Sequence, residues 1–159
     1  MQALLEAKQQ GLTEYIGISN FNIELTQQAI NSIELEHIAT NQIELSPYLQ
    51  NHRLVDFLQS QNIDVTSYMT LAYGKVLNDP VLLDIAAQHQ ASTAQISLAW
   101  ALQQGFAVIP SSTKREHLIA NLAAQEIQLT KDEMSVIAQL DRHAREISPE
   151  QLAPALGLK

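Results

Sequence analysis

The chain has 159 residues, 46% of them hydrophobic and 16% charged, with a formal net charge of −8. That length holds one domain with a sizeable core, and the acidic balance excludes general binding to nucleic acid or to anionic membranes. The absence of cysteine excludes disulfides, thiolate nucleophiles and cysteine-ligated metals, and no apolar run approaches the roughly 20 residues of a membrane-spanning helix.

The start, Met1-Gln2-Ala3-Leu4-Leu5-Glu6, has no basic region followed by an apolar core, so it does not read as a signal peptide and a cytoplasmic location is expected. Residues 2–10 fit a helix with Leu4 and Leu5 inward and Gly11 as its stop. Tyr15 to Ile18 reads as a short strand, and Ser19-Asn20-Phe21-Asn22 as a polar turn. The spacing of Leu25, Ala29 and Ile30 makes Ile23 to Asn31 a helix. His37 to Ile43 is a second strand, ending in Glu44-Leu45-Ser46-Pro47. Arg53 to Asn62 follows as an amphipathic helix with Leu54, Val55, Phe57 and Leu58 on one face. Ile63 to Tyr68 is the third strand, and a longer loop then runs through Gly74 and Asn78-Asp79-Pro80.

Val81 to Gln88 and Thr93 to Gln104 are two helices, the second capped by Ser92 or Thr93 and ended by Gly105. Ala107-Val108-Ile109 reads as a short buried strand that Pro110 ends. Leu118, Ile119 and Leu122 recur at helical spacing after it, with Ser112 or Thr113 as the cap. Thr130 and Glu133 form a capping box for a last helix that buries Met134, Ile137 and Leu140. From His143 the periodicity fades. Residues 1–142 are therefore expected to form one body, and 143–159, with Pro149, Pro154 and Gly157, a surface tail.

Four alternations of short apolar strand and helix predict an α/β fold of parallel β/α units. In such folds the functional face lies at the C-terminal strand ends, here near Ser19, Gln42, Tyr68 and Ser111. The helix start after Ser111 suits a phosphate, because free N–H groups and the positive end of the helix dipole point outward there. Lys114 and Arg115 add full positive charge at the same spot. Taken one at a time these features have plainer readings. Ser19 and Asn20 close a turn and cap a helix, Gln42 satisfies backbone groups at a rim, Tyr68 packs with a wet hydroxyl, and Asn121 bonds within its own helix surface. The histidines show no metal-ligand spacing, and no metal site is expected.

Read together, Gly17-Ile18-Ser19-Asn20-Phe21, Asn41-Gln42-Ile43-Glu44-Leu45-Ser46-Pro47-Tyr48, Thr66-Ser67-Tyr68 and Val108-Ile109-Pro110-Ser111-Ser112 resemble successive strand ends of the aldo-keto reductases. Order and spacing match together. The nearest likeness is to the bacterial 2,5-diketo-D-gluconate reductase (methylglyoxal reductase) branch. The resemblance covers nearly the whole chain but only the C-terminal half of the family's TIM (β/α)₈ barrel, which needs about 250 residues. It implies four parallel β/α units, a further C-terminal helix and a tail.

The resemblance implies NADPH as cofactor and a small aldehyde or ketone as substrate, such as methylglyoxal or a keto sugar. Ser19, Asn20 and Gln42 would hydrogen-bond the nicotinamide carboxamide, and Tyr68 would stack on its ring. Met69, Thr70 and Leu71 would run beside the pyrophosphate. Ser111, Ser112, Thr113, Lys114, His117 and Asn121 would surround the 2′-phosphate and adenine. Many family members carry lysine where Ser111 stands and arginine where His117 stands, so Lys114 and Arg115 are the substitute charges here.

The family's catalytic tetrad of aspartate, tyrosine, lysine and histidine belongs to the N-terminal half. No catalytic residue is therefore assigned, and the chain alone is expected to be inactive. Glu44 and Tyr48 receive no catalytic role. Arg142, Arg145 and Pro149 stand near where a substrate loop would be, with solvated charge as the favoured reading of the arginines. The alternative function is an assembly module: a half-barrel that forms a homodimer, or pairs with another chain, through strand edges at Tyr15–Ile18 and Ala107–Ile109.

Overall fold

The computed structural model describes residues 1–147, so Pro149, Pro154 and Gly157 of the expected tail lie outside the described residues. Strands β1 (Ile16–Ser19), β2 (Ile38–Glu44), β3 (Asp64–Tyr68) and β4 (Ala107–Val108) form one sheet in the order β1-β2-β3-β4. Neighbours in the sheet are also neighbours in sequence, with a helix in every connection, as parallel β/α units require. The chain divides into two compact units, Met1–Ile43 with Asn51–Thr66, and Glu44–Gln50 with Ser67–Glu146. Among the described residues no helix is long and apolar enough to cross a membrane.

In the first unit, α1 (Gln2–Gln9) ends where expected, with Gly11 in the left-handed region at φ 72°. It buries nothing fully, and Leu4 is exposed, contrary to the sequence expectation. The helix is only two turns long, so one narrow stripe, with Leu5 half-buried, faces inward. Helix α2 (Ile23–Ile33) starts at Asn22, whose Oδ1 accepts the Leu25 N–H at 2.8 Å, and buries Thr26, Ala29 and Ile33. Helix α3 (His52–Ser60) buries Leu54, Val55 and Leu58.

Gly17 sets the spacing of the first two strands. Ile16 pairs with Ile38 and Ile18 with Asn41, so β2 carries one extra residue opposite Gly17. A Cβ on Gly17 would lie 2.9 Å from both the Cγ2 and the carbonyl oxygen of Thr40. Thr40 cannot turn away freely, because its hydroxyl donates to the Asp64 carbonyl at 2.9 Å and lies 2.9 Å from the Thr66 hydroxyl. Gly17→Ala should therefore cost about 1–3 kcal/mol of stability, the usual penalty for overpacking. Urea unfolding measures it, and an unchanged midpoint would show that the bulge relaxes at no cost.

In the second unit, α4 (Pro80–Gln88) starts at Asp79, whose Oδ1 accepts the N–H groups of Val81 and Leu82. Helix α5 (Thr93–Gln103) has a full capping box between Ser92 and Gln95 and is buried on nearly every side, from Ile96 to Ala101. Trp100 meets Phe106 edge to face at 6.5 Å. Helix α7 (Lys131–Ala138) has the expected box between Thr130 and Glu133, and Ile137 is buried.

Two expectations at the last strand are corrected. Ile109 is 50% exposed, and on α6 (Arg115–Ala123) Leu118, Ile119 and Leu122 are 44, 55 and 70% exposed. Strand β4 is two residues long and lies at the edge of the sheet, so this apolar stripe has no neighbour to cover it among the described residues. Nor does Ser112 or Thr113 cap α6. Lys114 occupies the cap position without a side-chain bond, and the Ser112 hydroxyl accepts the Lys114 N–H at 3.1 Å, before the helix begins.

The capping box on α7 has a pH consequence. Burial pushes the Glu133 carboxyl up, but the Thr130 N–H, the His89 imidazole and the Thr130 hydroxyl outweigh it and hold its pKa below the usual carboxylate value. His89 Nε2 is 2.8 Å from Glu133 Oε1. A lowered pKa stabilises the fold above the unfolded value and loses that contribution as pH falls through the folded value. Glu133→Gln can still close the box but loses the charge, so it should lower stability at neutral pH by about 0.3–1 kcal/mol. It should also flatten the loss between neutrality and about pH 3, read by denaturant melts at each pH. An equally steep acid loss in the variant would place the effect elsewhere.

Candidate cofactor site

At the C-terminal ends of β1 and β2, Ser19 and Gln42 are paired in register. The Ser19 hydroxyl donates to the Gln42 carbonyl at 3.0 Å, and the Asn20 N–H donates to the same oxygen at 2.9 Å. Asn20 is left-handed at φ 59°, which an asparagine tolerates better than most residues. This conformation turns the chain out of β1 into α2 and keeps the three predicted residues together. Asn41 supports the turn from beneath: fully buried, it donates from Nδ2 to the Phe21 carbonyl at 2.9 Å. Asn41 stands inside a quoted motif, but its supporting role is invisible in sequence because its partner is a backbone atom twenty residues away.

In the second unit, Tyr68, Met69, Thr70 and Leu71 form one wall of an open cavity of about 410 Å³. Ile109, Pro110 and Ser111 form the facing wall, and Tyr73 and Gly74 complete the lining. The structure thus brings five predicted residues, Tyr68, Met69, Thr70, Leu71 and Ser111, around one space. Tyr73 and Gly74 are additions that the sequence does not assign to the site. The only signal for them is their place in the loop after Tyr68. That loop is tightly coiled, with Met69, Ala72, Tyr73 and Gly74 all at positive φ. Thr70 is buried, and its hydroxyl is 2.7 Å from that of Ser67, which donates to the Leu45 carbonyl at 3.0 Å. Its side chain braces the loop.

Beyond Ser111 the chain gathers positive charge. Ser112 Oγ lies 3.3 Å from His117 Nδ1. Thr113, Lys114, Arg115 and His117 are all exposed at the start of α6. Asn121 lies half-buried one helical turn after His117, on the same side of α6. Neither Thr113 nor Asn121 lines the cavity. Lys114 and Arg115 stand at this helix start, which has no side-chain cap, with Glu116 beside them in its first turn.

The Tyr48 phenol is buried and already engaged. Tyr48 is 3% exposed, and its hydroxyl donates to Asp79 Oδ2 at 2.8 Å. Burial, and then the Asp79 carboxylate, push its pKa up, against a lowering by Arg142. An acid working near neutrality needs the opposite shift. Arg142 and Arg145 are not simply solvated. The Arg142 guanidinium lies 3.6 Å from the centre of the Tyr48 ring, and both terminal nitrogens of Arg145 are buried. The exposed Glu34 and Glu36 and the half-buried His37 have ligand atoms close enough to hold a cation, and no ion is present there.

Comparison with known proteins agrees with this fold. The family model for the Aldo/keto reductase family matches residues 1–142. The methylglyoxal reductase DkgB of Salmonella typhi is 57% identical over 155 residues, which is 98% of this chain and 58% of that protein. The DkgB of Escherichia coli O157:H7 is 58% identical over 154 residues, again 58% of its length. A crystal structure of a Gox0644 mutant in complex with NADPH superposes with a TM-score of 0.88 at 34% identity, over 94% of this chain and 56% of that one. The chain thus spans little more than half the length of the relatives it matches, and its four parallel strands correspond to about half of their barrel. With strand order, motif sequence and family model in agreement, the chain belongs to the aldo/keto reductase family.

Proposed function

We propose that residues 1–142 are the NADPH-binding half of an aldo-keto reductase whose whole form reduces a small aldehyde or ketone, such as methylglyoxal or a keto sugar. The observation that carries this is the cavity between the Tyr68–Leu71 and Ile109–Ser111 walls, with the cationic start of α6 directly following. The residues fit the cofactor's chemistry. Neutral donors and acceptors at Ser19, Asn20 and Gln42 suit a carboxamide, and a rigid constellation fixes which ring face meets the substrate. Tyr68 offers an aromatic face, Met69 to Leu71 offer backbone to the pyrophosphate, and Ser111 to His117 with Asn121 suit the phosphate-bearing adenosine. When bound, the dinucleotide supplies the hydride. NADPH is preferred to NADH because Lys114 and Arg115 have only the 2′-phosphate to recognise there.

None of the described residues serves as the proton donor, and the isolated chain is expected to be inactive. Residues 143–159 are assigned as the remnant of a substrate loop, and the cytoplasm as the location. In an assay with NADPH and methylglyoxal, the isolated chain should oxidise cofactor no faster than buffer. Turnover that purifies with the chain and vanishes in Tyr68→Ala would overturn this.

The exposed stripe of Ile109, Leu118, Ile119 and Leu122 favours a second reading, in which the half-barrel pairs with a second copy or with a chain supplying the other half. A concentration-dependent dimer in sedimentation, abolished by Ile119→Glu with Leu122→Glu, would support it. A monomer at all concentrations would exclude the homodimer.

A further inference from the structure

The segment after α7 is tied down through a line of interactions that ends at the cavity rim. The Tyr48 carbonyl accepts the N–H groups of Arg142 and Ala144 at 3.2 and 3.0 Å. Glu44, 1% exposed at the end of β2, accepts the Glu146 N–H on Oε1 at 2.6 Å. The Glu146 carboxylate, only 8% exposed, then receives Lys75 Nζ on both oxygens, at 2.9 and 2.7 Å. Lys75 directly follows Tyr73 and Gly74, which line the cavity, in a loop where four residues hold positive φ. The loop ends are fixed from within: Ser67 and Thr70 brace the start, and the Thr93 hydroxyl donates to the Leu77 carbonyl at 3.0 Å. Lys75 reaches outward from the stretch between those two braces.

A buried carboxylate is an expensive partner for a merely decorative surface lysine, since its desolvation must be offset by well-aligned donors. Here the backbone of Glu146 is fixed by Glu44 and its head group by Lys75. We propose that Lys75 and Glu146 are positioning residues: their ion pair latches the Tyr73–Gly74 rim to the segment after α7 and slows escape of the dinucleotide from the cavity. The proposal rests on the cofactor reading given above. The latch acts on the rim and touches no reacting atom.

The test uses the full chain and three variants, Lys75→Met, Glu146→Gln and the charge swap Lys75→Glu with Glu146→Lys. Stopped-flow displacement of NADPH reads the dissociation rate, and hydrogen exchange of the Tyr73–Val76 amides reads the latch without ligand. Each single variant should speed dissociation and amide exchange by about three- to fivefold, the upper range for a partly exposed pair. The swap should recover at least half of both effects, while melting temperatures stay close to wild type. Unchanged exchange in the single variants, or a swap that behaves like the singles, would overturn the latch. Wild-type chain that binds no NADPH would overturn the cofactor reading instead, and the exchange data would still decide whether the latch exists.

Discussion

Tyr68→Ala should weaken NADPH binding about ten- to a hundredfold, the ~1–3 kcal/mol that alanine costs at an aromatic stack on a heterocycle. Tyr68 ends β3, and its carbonyl accepts the Leu45 N–H at 3.2 Å, so the strand fixes where the ring leaves the sheet. Backbone position does not depend on the side chain, and the variant should fold. Tyr68→Phe keeps the aromatic face and should bind within about threefold of wild type, because a single neutral hydroxyl contributes little net energy. Fluorescence titration of both variants separates stacking from hydrogen bonding. Equal affinity of Tyr68→Ala and wild type would remove Tyr68 from the site.

The second large effect is on stability. Asp79→Ala should cost about 2–4 kcal/mol, because one carboxylate serves two neighbours. Its Oδ1 caps α4 at the N–H groups of Val81 and Leu82, a role worth ~0.5–2 kcal/mol. Its Oδ2 accepts the Tyr48 hydroxyl, and without it a buried phenol is left unpaired, at roughly 1–3 kcal/mol. Tyr48→Phe removes only the second contact and keeps the cap on α4, so it should cost less, about 0.5–1.5 kcal/mol. In a double-mutant cycle the two losses should be clearly non-additive, since they share an interaction. Strict additivity in denaturant melts would mean that the 2.8 Å bond contributes nothing.

Local signals carry far in this chain. The box at Thr130–Glu133, the cap at Ser92 and the stop at Gly11 depend on residues a few positions apart and form as the sequence implies, whereas α2 is capped by Asn22 and not by Ser19 or Asn20. The four β/α units are legible because each strand is a short apolar run between turn residues. What sequence does not supply is the environment of an element. The apolar stripe on α6 has helical period, yet period does not say whether anything packs against it. Leu118, Ile119 and Leu122 are exposed because β4 is short and lies at the sheet edge.

The candidate site is legible in the same uneven way. The family resemblance groups Ser19 with Gln42, and strand register pairs the two in the fold. Asn41, Tyr73 and the Lys75–Glu146 pair do not, because their partners are backbone atoms or lie tens of residues away. Arg142 shows the same limit. Its charge suggests solvent, and only the fold sets it against Tyr48.

Titration of the purified chain with NADPH, and in parallel with NADH, tests the central claim most directly. Enhancement of nicotinamide fluorescence should saturate, with NADPH bound at least about tenfold more tightly and that preference lost in Lys114→Ala, as for a lost phosphate contact. A folded chain that binds neither dinucleotide would contradict the assignment of Ser19, Asn20, Gln42, Tyr68 and Lys114 as a cofactor site within this chain.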